Sequence, residues 1–175
     1  MRQEIFKYKK PKDFYFYRIS LYSLIILYVF IVIRQVMKLI GNFQNQEMVL
    51  SLIVFVIIGM IVYMLSQINI LFKEYHLADH EKSIALNSND NTILIQQGQG
   101  KEFLIKKEEI LIVEMFDSKL ATFPLGYFSY ILIRLKTGEK FIITEFTVPY
   151  GKSDILKILK GLKRKNHRRI FNRIN

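Results

Sequence analysis

The sequence predicts a membrane α-helical hairpin followed by a mostly β domain, and three features of the residue pattern support this fold class. Apolar runs with few charges occupy most of the chain from Ile19 to Phe72. Short runs of Ile, Leu, Val, Phe and Thr, separated by turn-forming residues, come next. An apolar stripe with helical spacing follows near the C-terminus. We therefore expect two structural parts rather than one soluble domain.

The second apolar run, Met48 to Phe72, contains 25 residues and no charge. About 20 apolar residues are enough for a helix to cross the hydrocarbon core of a bilayer. We therefore predict a transmembrane helix at 48–72.

The first run, Ile19 to Ile33, has 15 residues between two arginines. This length alone would also fit a buried soluble helix or the core of a signal peptide. Aromatic residues before the run and apolar residues after it extend the predicted span to about 17–40. Arg18, Arg34 and Lys38 are accordingly predicted to be charges at the membrane interface, where long side chains can reach the headgroups.

The distribution of Lys and Arg predicts the orientation of this hairpin. Its tip, Gly41 to Glu47, has neither, whereas Met1 to Arg18 has six. Segments rich in Lys and Arg stay on the cytoplasmic side. The tip then faces outward from a bacterial inner membrane, and both the N-terminus and everything after Phe72 are cytoplasmic.

The part after Phe72 is expected to contain about six or seven strands. Turn residues at Asn87–Asn91, Gly98–Gly100 and Thr137–Gly138 predict tight hairpins, so neighbouring strands should be antiparallel. The candidate strands are Tyr75–Asp79, Ser83–Leu86, Thr92–Gln97, Glu102–Lys106, Ile110–Met115, Ser129–Lys136 and Lys140–Phe146.

A C-terminal amphipathic helix is predicted to close this sheet or barrel. Ser153 is a suitable N-cap residue. An apolar stripe with helical spacing follows it, formed by Ile155, Leu156, Ile158, Leu159 and Leu162. The predicted organisation is a basic tail at 1–18, the hairpin at 19–72, the β domain at 73–162 and a second basic tail at 163–175.

The β region resembles the bacterial PH-like (pleckstrin-homology-like) domains that follow a transmembrane pair in small membrane proteins. The resemblance implies an antiparallel PH-like sheet or barrel that serves in interaction. Asn87–Asn91 lacks the basic residues with which related domains bind phosphoinositides, so that activity is not implied. The residues that carry the resemblance are Ile105–Ile110, Val113–Glu114, Tyr130–Ile133, Lys136–Lys140, Ile142–Thr144 and Asp154–Leu156.

Positive charge is concentrated at the two ends of the chain. The formal net charge is +11, and Gly151 to Asn175 contains nine Lys and Arg against one acid. The slightly acidic middle excludes a uniformly basic nucleic-acid-binding surface. Near a membrane, a basic cluster attracts anionic headgroups. A solvated helix end and a nucleic-acid contact are the alternatives. The predicted contact residues for anionic lipid or a partner are Lys163, Arg164, Lys165, Arg168 and Arg169.

No constellation in the sequence supports catalysis. The chain has no cysteine, and His76 and His80 have no obvious third ligand for a metal. Gly98–Lys101 superficially resembles a phosphate loop but lies between two predicted strands. We therefore predict no enzyme, no metal, no cofactor and no small-molecule substrate.

Two functions from different classes fit this pattern. The first is a non-enzymatic integral membrane protein whose PH-like domain contacts the membrane surface, another protein or its own copy. The alternative is a membrane-tethered transcription regulator with a LytTR-like β DNA-binding domain, although the charge pattern makes nucleic acid an unlikely partner.

The predicted orientation can be tested with single cysteines, because the chain has none of its own. We expect an impermeant thiol reagent to label Asn45→Cys in intact cells and to leave Ser88→Cys unlabelled. Labelling of Ser88→Cys without labelling of Asn45→Cys would reverse the orientation.

Overall fold

The computed structural model describes residues 3–8, 13–40, 45–98, 100–118, 128–149 and 154–174. The chain forms two compact units, one of Lys12–Ile70 and one of Met1–Pro11 with Leu71–Asn175. We call these the helical unit and the β unit.

The helical unit consists of α1 (Asp13–Ile40) and the larger part of α2 (Asn45–Asp79). Candidate spans of 20 and 28 residues have mean hydropathies of 2.1 and 2.2, and only 6% of either scored window is buried. A core helix of a soluble protein would be mostly buried. Both helices are therefore long and apolar enough to cross a membrane. Their exposed apolar residues include Ile19, Ile26, Phe30, Met37, Leu52, Ile57, Met60 and Tyr63.

A ring contact joins the two helices within this unit. The Tyr28 and Phe55 rings stack with their centres 4.9 Å apart. Gly59 lies one turn after Phe55, and a Cβ atom there would be 3.7 Å from the Tyr28 hydroxyl. The small residue leaves room for the tyrosine, as expected of a helical hairpin.

The β unit contains eight described strands in two four-stranded sheets. The first sheet has the order β1-β2-β3-β4 and is antiparallel. The second has the order β7-β6-β5-β8, in which only β8 is parallel to its neighbour. The strands are β1 (Gln3–Lys7), β2 (Lys82–Asn87), β3 (Thr92–Gln97), β4 (Lys101–Lys106), β5 (Ile110–Ser118), β6 (Tyr130–Leu135), β7 (Lys140–Thr144) and β8 (Arg164–Arg169).

One hydrophobic core joins the two sheets. Strand residues alternate between faces, and the apolar members of one face from each sheet are almost fully buried. A single helical turn, α3 (Ile155–Ile158), adds Ile155 and Ile158 to the core. The core strand residues include Ile84, Leu86, Ile93, Ile95, Ile105, Val113, Ile131, Ile133 and Ile143.

The last turns of α2 pack against the second sheet. Leu71, Phe72 and Tyr75 are buried. The Phe72 ring lies 4.9 Å from Phe128, and the Tyr75 ring lies 5.3 Å from Phe128. Phe146 also contacts Phe72, at 5.8 Å between ring centres. These aromatic contacts make the end of α2 part of the β unit.

A buried polar cluster fastens the end of α2 in place. The Asp79 carboxylate is fully buried and lies 3.3 Å from the Lys82 ammonium. Thr144 and Thr147 both donate hydroxyl hydrogen bonds to Asp79 Oδ2. Lys82 Nζ also donates to the Ile142 carbonyl at 3.0 Å. The charges are paired and hydrogen-bonded, as burial requires. We call these residues the Asp79 cluster.

The structure corrects the sequence-based prediction at the two ends of α2 and at the N-terminus. Tyr75–Asp79 is helix rather than strand, and its two ends, one turn apart, contact the second sheet at Tyr130 and Thr144. Gln3–Lys7 is strand β1 rather than a tail, because its inward residue Phe6 packs against the core. The predicted hairpin tip is shortened because α2 begins at Asn45, and positions 41–44 lie outside the described residues.

The C-terminal prediction is also wrong in its details. The expected long amphipathic helix is the single turn α3, and Gly161 then reverses the chain with φ +82°. Arg164–Arg169, predicted as part of a basic tail, is strand β8 and is parallel to β5. Ser153, the expected N-cap, lies outside the described residues. The PH-like fold itself stays a prediction.

Breaking the Asp79 cluster should destabilise the β unit strongly. Lys82→Met leaves the buried Asp79 carboxylate without its cation, so we expect the free energy of unfolding to fall by about 3 kcal/mol. Lys157→Met is the matched control, because Lys157 also pairs with an aspartate three residues before it but is 75% exposed. The control substitution should lower the free energy of unfolding by at most about 1 kcal/mol. Urea unfolding in mild detergent, followed by tyrosine fluorescence, measures both. Equal losses would contradict the assigned role of the cluster.

Candidate functional site

The basic residues singled out in the sequence lie on and beside β8. Arg164, Lys165, Arg168 and Arg169 belong to the strand, and Lys163 precedes it. All five are exposed. In the described part of the chain, β8 pairs only with β5 and therefore forms an edge of the second sheet. Charged side chains on an edge strand discourage pairing with other chains, which is the structural alternative to a binding role.

The strand registers show where each end of β8 lies. Arg164 is opposite Val113, and Arg169 is opposite Ser118. Val113 pairs with Ile133 in the middle of β6, whereas Phe116 pairs with Tyr130 at its start. The Arg169 end of β8 therefore lies at the end of the sheet where β6 begins. Five residues at about 3.3 Å each put roughly 16 Å between the two ends of β8.

An aromatic row connects this end of β8 with α2. The Tyr75 ring lies 6.1 Å from the Tyr130 ring. Tyr130 stacks on Phe116 at 4.4 Å, and Phe116 stacks on His167 at 4.5 Å. The Arg169 guanidinium lies 5.6 Å from the centre of the Phe116 ring. We call Tyr75, Tyr130, Phe116 and His167 the aromatic row.

The segment after β8 is tied to the same turns of α2. Tyr75 donates its hydroxyl hydrogen to the Asn172 carbonyl at 3.2 Å. The Arg173 guanidinium pairs with Glu74 at 2.5 Å, and the Ile174 N–H donates to the same carboxylate at 3.2 Å. Asn172 is buried and donates its amide hydrogens to the Phe116 and Phe128 carbonyls. The C-terminal end of β8 is therefore held close to Glu74 and Tyr75.

A charge cluster of Glu114, Arg134 and His167, which we call the Glu114 cluster, occupies the same face of the second sheet. Arg134 donates to Glu114 Oε1 at 2.6 Å, and His167 Nε2 lies 3.1 Å from Glu114 Oε2. Partial burial by itself would raise the pKa of Glu114, but the hydrogen bonds and positive charges of Arg134 and His167 outweigh it. The pKa of Glu114 is therefore held below its usual range.

The predicted membrane-interface charges lie in α1, in the helical unit. The Arg18 guanidinium lies 5.8 Å from the Tyr22 ring centre and donates to the Tyr22 hydroxyl at 3.4 Å. Arg34 is exposed. Lys38 belongs to α1, and its side chain lies outside the described part of the structure. These three residues belong to the helical unit, whereas the basic residues of β8 belong to the β unit.

Of the two histidines considered as metal ligands, His76 lies on the last turn of α2 and His80 follows its end. Their rings are 5.1 Å apart, and His76 Nδ1 lies 2.9 Å from the Tyr8 hydroxyl. Burial, and to a lesser degree the Asp79 carboxylate, raises the pKa of Tyr8 to about 12, so this phenol stays protonated at neutral pH. Among the described residues, no group of three or more His, Asp or Glu side chains is placed to hold a metal.

Sequence analysis did not single out the aromatic row or the Glu114 cluster. One available signal was the alternation inside the basic run, since Lys165, His167 and Arg169 occupy one face of a strand. The pairing of His167 with Phe116 joins residues distant in sequence and could not be inferred locally.

Comparisons with known proteins add no assignment. No protein-family model, curated protein or solved structure matches the chain.

The Glu114 cluster should make stability depend on acidic pH. A carboxyl group whose pKa is lowered by folding adds stability above its unfolded pKa, and this contribution is lost as the pH falls through the folded value. The difference in free energy of unfolding between wild type and Glu114→Gln should therefore shrink below about pH 4. Urea titrations from pH 5 to pH 3 measure this difference. A difference that grows as the pH falls over this range would contradict the lowered pKa.

Proposed function

We propose that the protein is a non-enzymatic, two-span protein of a bacterial inner membrane, with a cytoplasmic β unit that acts as an interaction domain at the membrane surface. The observation that carries the proposal is the continuity of α2. One helix contains the apolar segment from Leu52 and ends within the β unit at Asp79. The β unit would then follow the second span directly along the chain.

Exposed apolar surface supports the membrane assignment. The described faces of α1 and α2 carry many large apolar side chains that are more than half exposed, such as Phe30 and Met60 at 65%. Such surface is unfavourable in water and favourable in lipid. The excess of Lys and Arg before α1 supports the cytoplasmic orientation.

The geometry of the β unit supports a membrane contact by one end of β8. If α2 leaves the hydrocarbon at Phe72, just before Lys73, then Tyr75 lies about 4.5 Å further along the helix axis. The aromatic row and the Glu74–Arg173 pair hold Arg169 close to this level. Charges within a Debye length of about 8 Å feel anionic headgroups. Arg164, roughly 16 Å away along β8, would not.

Nearby acidic groups reduce this attraction. Glu74 neutralises Arg173, and Asp117 is the register partner of Arg168. Glu145 contributes less to this reduction, because burial together with the Asp117 charge raises its pKa and favours the neutral carboxyl. The nominal attraction of about 1 kcal/mol for each Lys or Arg is therefore an upper figure here.

We keep a PH-like interaction domain as the proposed fold of the β unit. Two mainly antiparallel sheets around one core support it. The single-turn α3 and the parallel strand β8 are departures from the expected pattern.

Two charge-matched double variants test the membrane contact. Arg168→Gln with Arg169→Gln removes the last two charges of β8, and Arg164→Gln with Lys165→Gln removes two at the other end of the strand. A fluorophore on Asn166→Cys reports distance to the bilayer through quenching by labelled headgroups. In vesicles containing phosphatidylglycerol, the first variant should show less quenching, because it loses at most about 2 kcal/mol of electrostatic attraction to the headgroups. The second variant should quench like wild type.

The difference in quenching between the variants should depend on lipid charge. In phosphatidylcholine alone, both variants and the wild type should quench alike. Arg168→Gln alone, which leaves the Arg169–Phe116 contact intact, should give an intermediate loss. Equal effects of the two double variants in anionic vesicles would contradict the proposed contact. Sequence-dependent binding of duplex DNA that persists near 0.15 M salt would instead favour the regulator alternative.

A further inference from the structure

An aliphatic row crosses the outward face of the first sheet. The registers place Ile5 opposite Ala85, Ala85 opposite Leu94, and Leu94 opposite Leu104. We call these four residues the aliphatic row. Their strand neighbours point into the core, so the row points away from it. Ile5 and Leu104, at the two edges of this sheet face, are 63% and 56% exposed, whereas the small Ala85 between them is only 9% exposed.

Polar residues flank the aliphatic row on both sides. One flanking row contains Lys7, Ser83, Gln96 and Glu102 in register. Within it, Ser83 donates to Gln96, and Gln96 donates to Glu102. Lys7 on β1 and Glu102 on β4 occupy opposite edges of the sheet. Three strand spacings of about 4.8 Å separate them by roughly 14 Å, which is too far for an ion pair within one molecule.

This face is complementary to itself. A two-fold axis parallel to the strands would place β1 of one copy over β4 of a second copy. Lys7 would then face Glu102 of the second copy, and the same pair would form a second time by symmetry. Ile5 would face Leu104, and the small Ala85 would face the larger Leu94. Aligned packing of two sheets and an isologous interface both have this geometry.

We propose that the outward face of the first sheet is a self-association surface that binds a second copy of this chain. The charge pattern favours this occupant, because one sheet face supplies both partners of each ion pair. The proposal rests on the proposed function for the membrane anchor. Four strands and three rows cover only about 300 Å² per copy, well below the roughly 800 Å² per partner of a stable soluble complex. Anchoring two copies in one membrane raises their effective concentration and compensates for the small area.

Cross-linking of the full-length chain in vesicles tests the proposal. Thr92→Cys puts a reporter thiol on β3, beside the proposed axis, and Glu139→Cys puts a control thiol in the exposed turn between β6 and β7 of the second sheet. With a short bismaleimide, Thr92→Cys should give a cross-linked dimer and Glu139→Cys should give little.

Charge reversal then identifies the contact. In the Thr92→Cys background, Lys7→Glu or Glu102→Lys should lower the dimer yield about tenfold, because each places like charges opposite one another. The double variant should restore the yield. Since Lys7 and Glu102 are too far apart to pair within one copy, rescue reports a contact between copies. Circular dichroism confirms that each variant is folded.

Three results would overturn the proposal. These are equal cross-linking of the two reporter thiols, single variants with unchanged yield, and a double variant that remains as low as the single ones. A cross-linked adduct in cells with the mass of a different protein would assign the surface to that protein instead. Recovery in the membrane after an alkaline carbonate wash, measured on the same samples, separates failed anchoring from failed self-association.

Discussion

The packing of the last turns of α2 against the second sheet is the contact on which the rest of the β unit depends. Phe72 and Tyr75 insert into an aromatic cluster, and one turn later Asp79 is buried against Lys82 and two threonine hydroxyls. Apolar packing alone tolerates small shifts of a helix along a sheet. A buried charge does not, because any shift would leave it without partners. The Asp79 cluster therefore sets the register of the helix on the sheet.

The same turns of α2 organise the C-terminal end of the chain. Glu74 binds Arg173 and the Ile174 N–H, and Tyr75 begins the aromatic row that ends at His167. These contacts give β8 a direction, with its Arg169 end next to the segment held by α2 and its Arg164 end at the opposite end of the strand. A basic run that is uniform in sequence is thus divided by the fold into two electrostatically different ends. This division is what makes a graded membrane contact possible under the proposed function.

Sequence reasoning succeeded where one local signal was decisive and failed where distant contacts decided. Met48–Phe72 is apolar and uncharged, and it lies within one helix. Tyr75–Asp79 alternates like a strand, yet it is helical because Phe128 and Phe146, far along the chain, pack on it. Strand β8 has no apolar alternation to mark it, and only its pairing with β5 reveals it. The five basic residues were proposed as contacts from composition alone, whereas their unequal positions along the sheet required the strand registers.

The central claim is that the end of α2, from Leu71 to Asp79, is an integral part of the β unit rather than a linker. Hydrogen–deuterium exchange of the full-length chain in lipid nanodiscs tests it most directly. The account predicts that the amides of residues 73–79 exchange with the same free energy of opening as those of β6, because helix and sheet open together. Exchange at 73–79 that is orders of magnitude faster than in β6 would show an independent linker and would contradict the account.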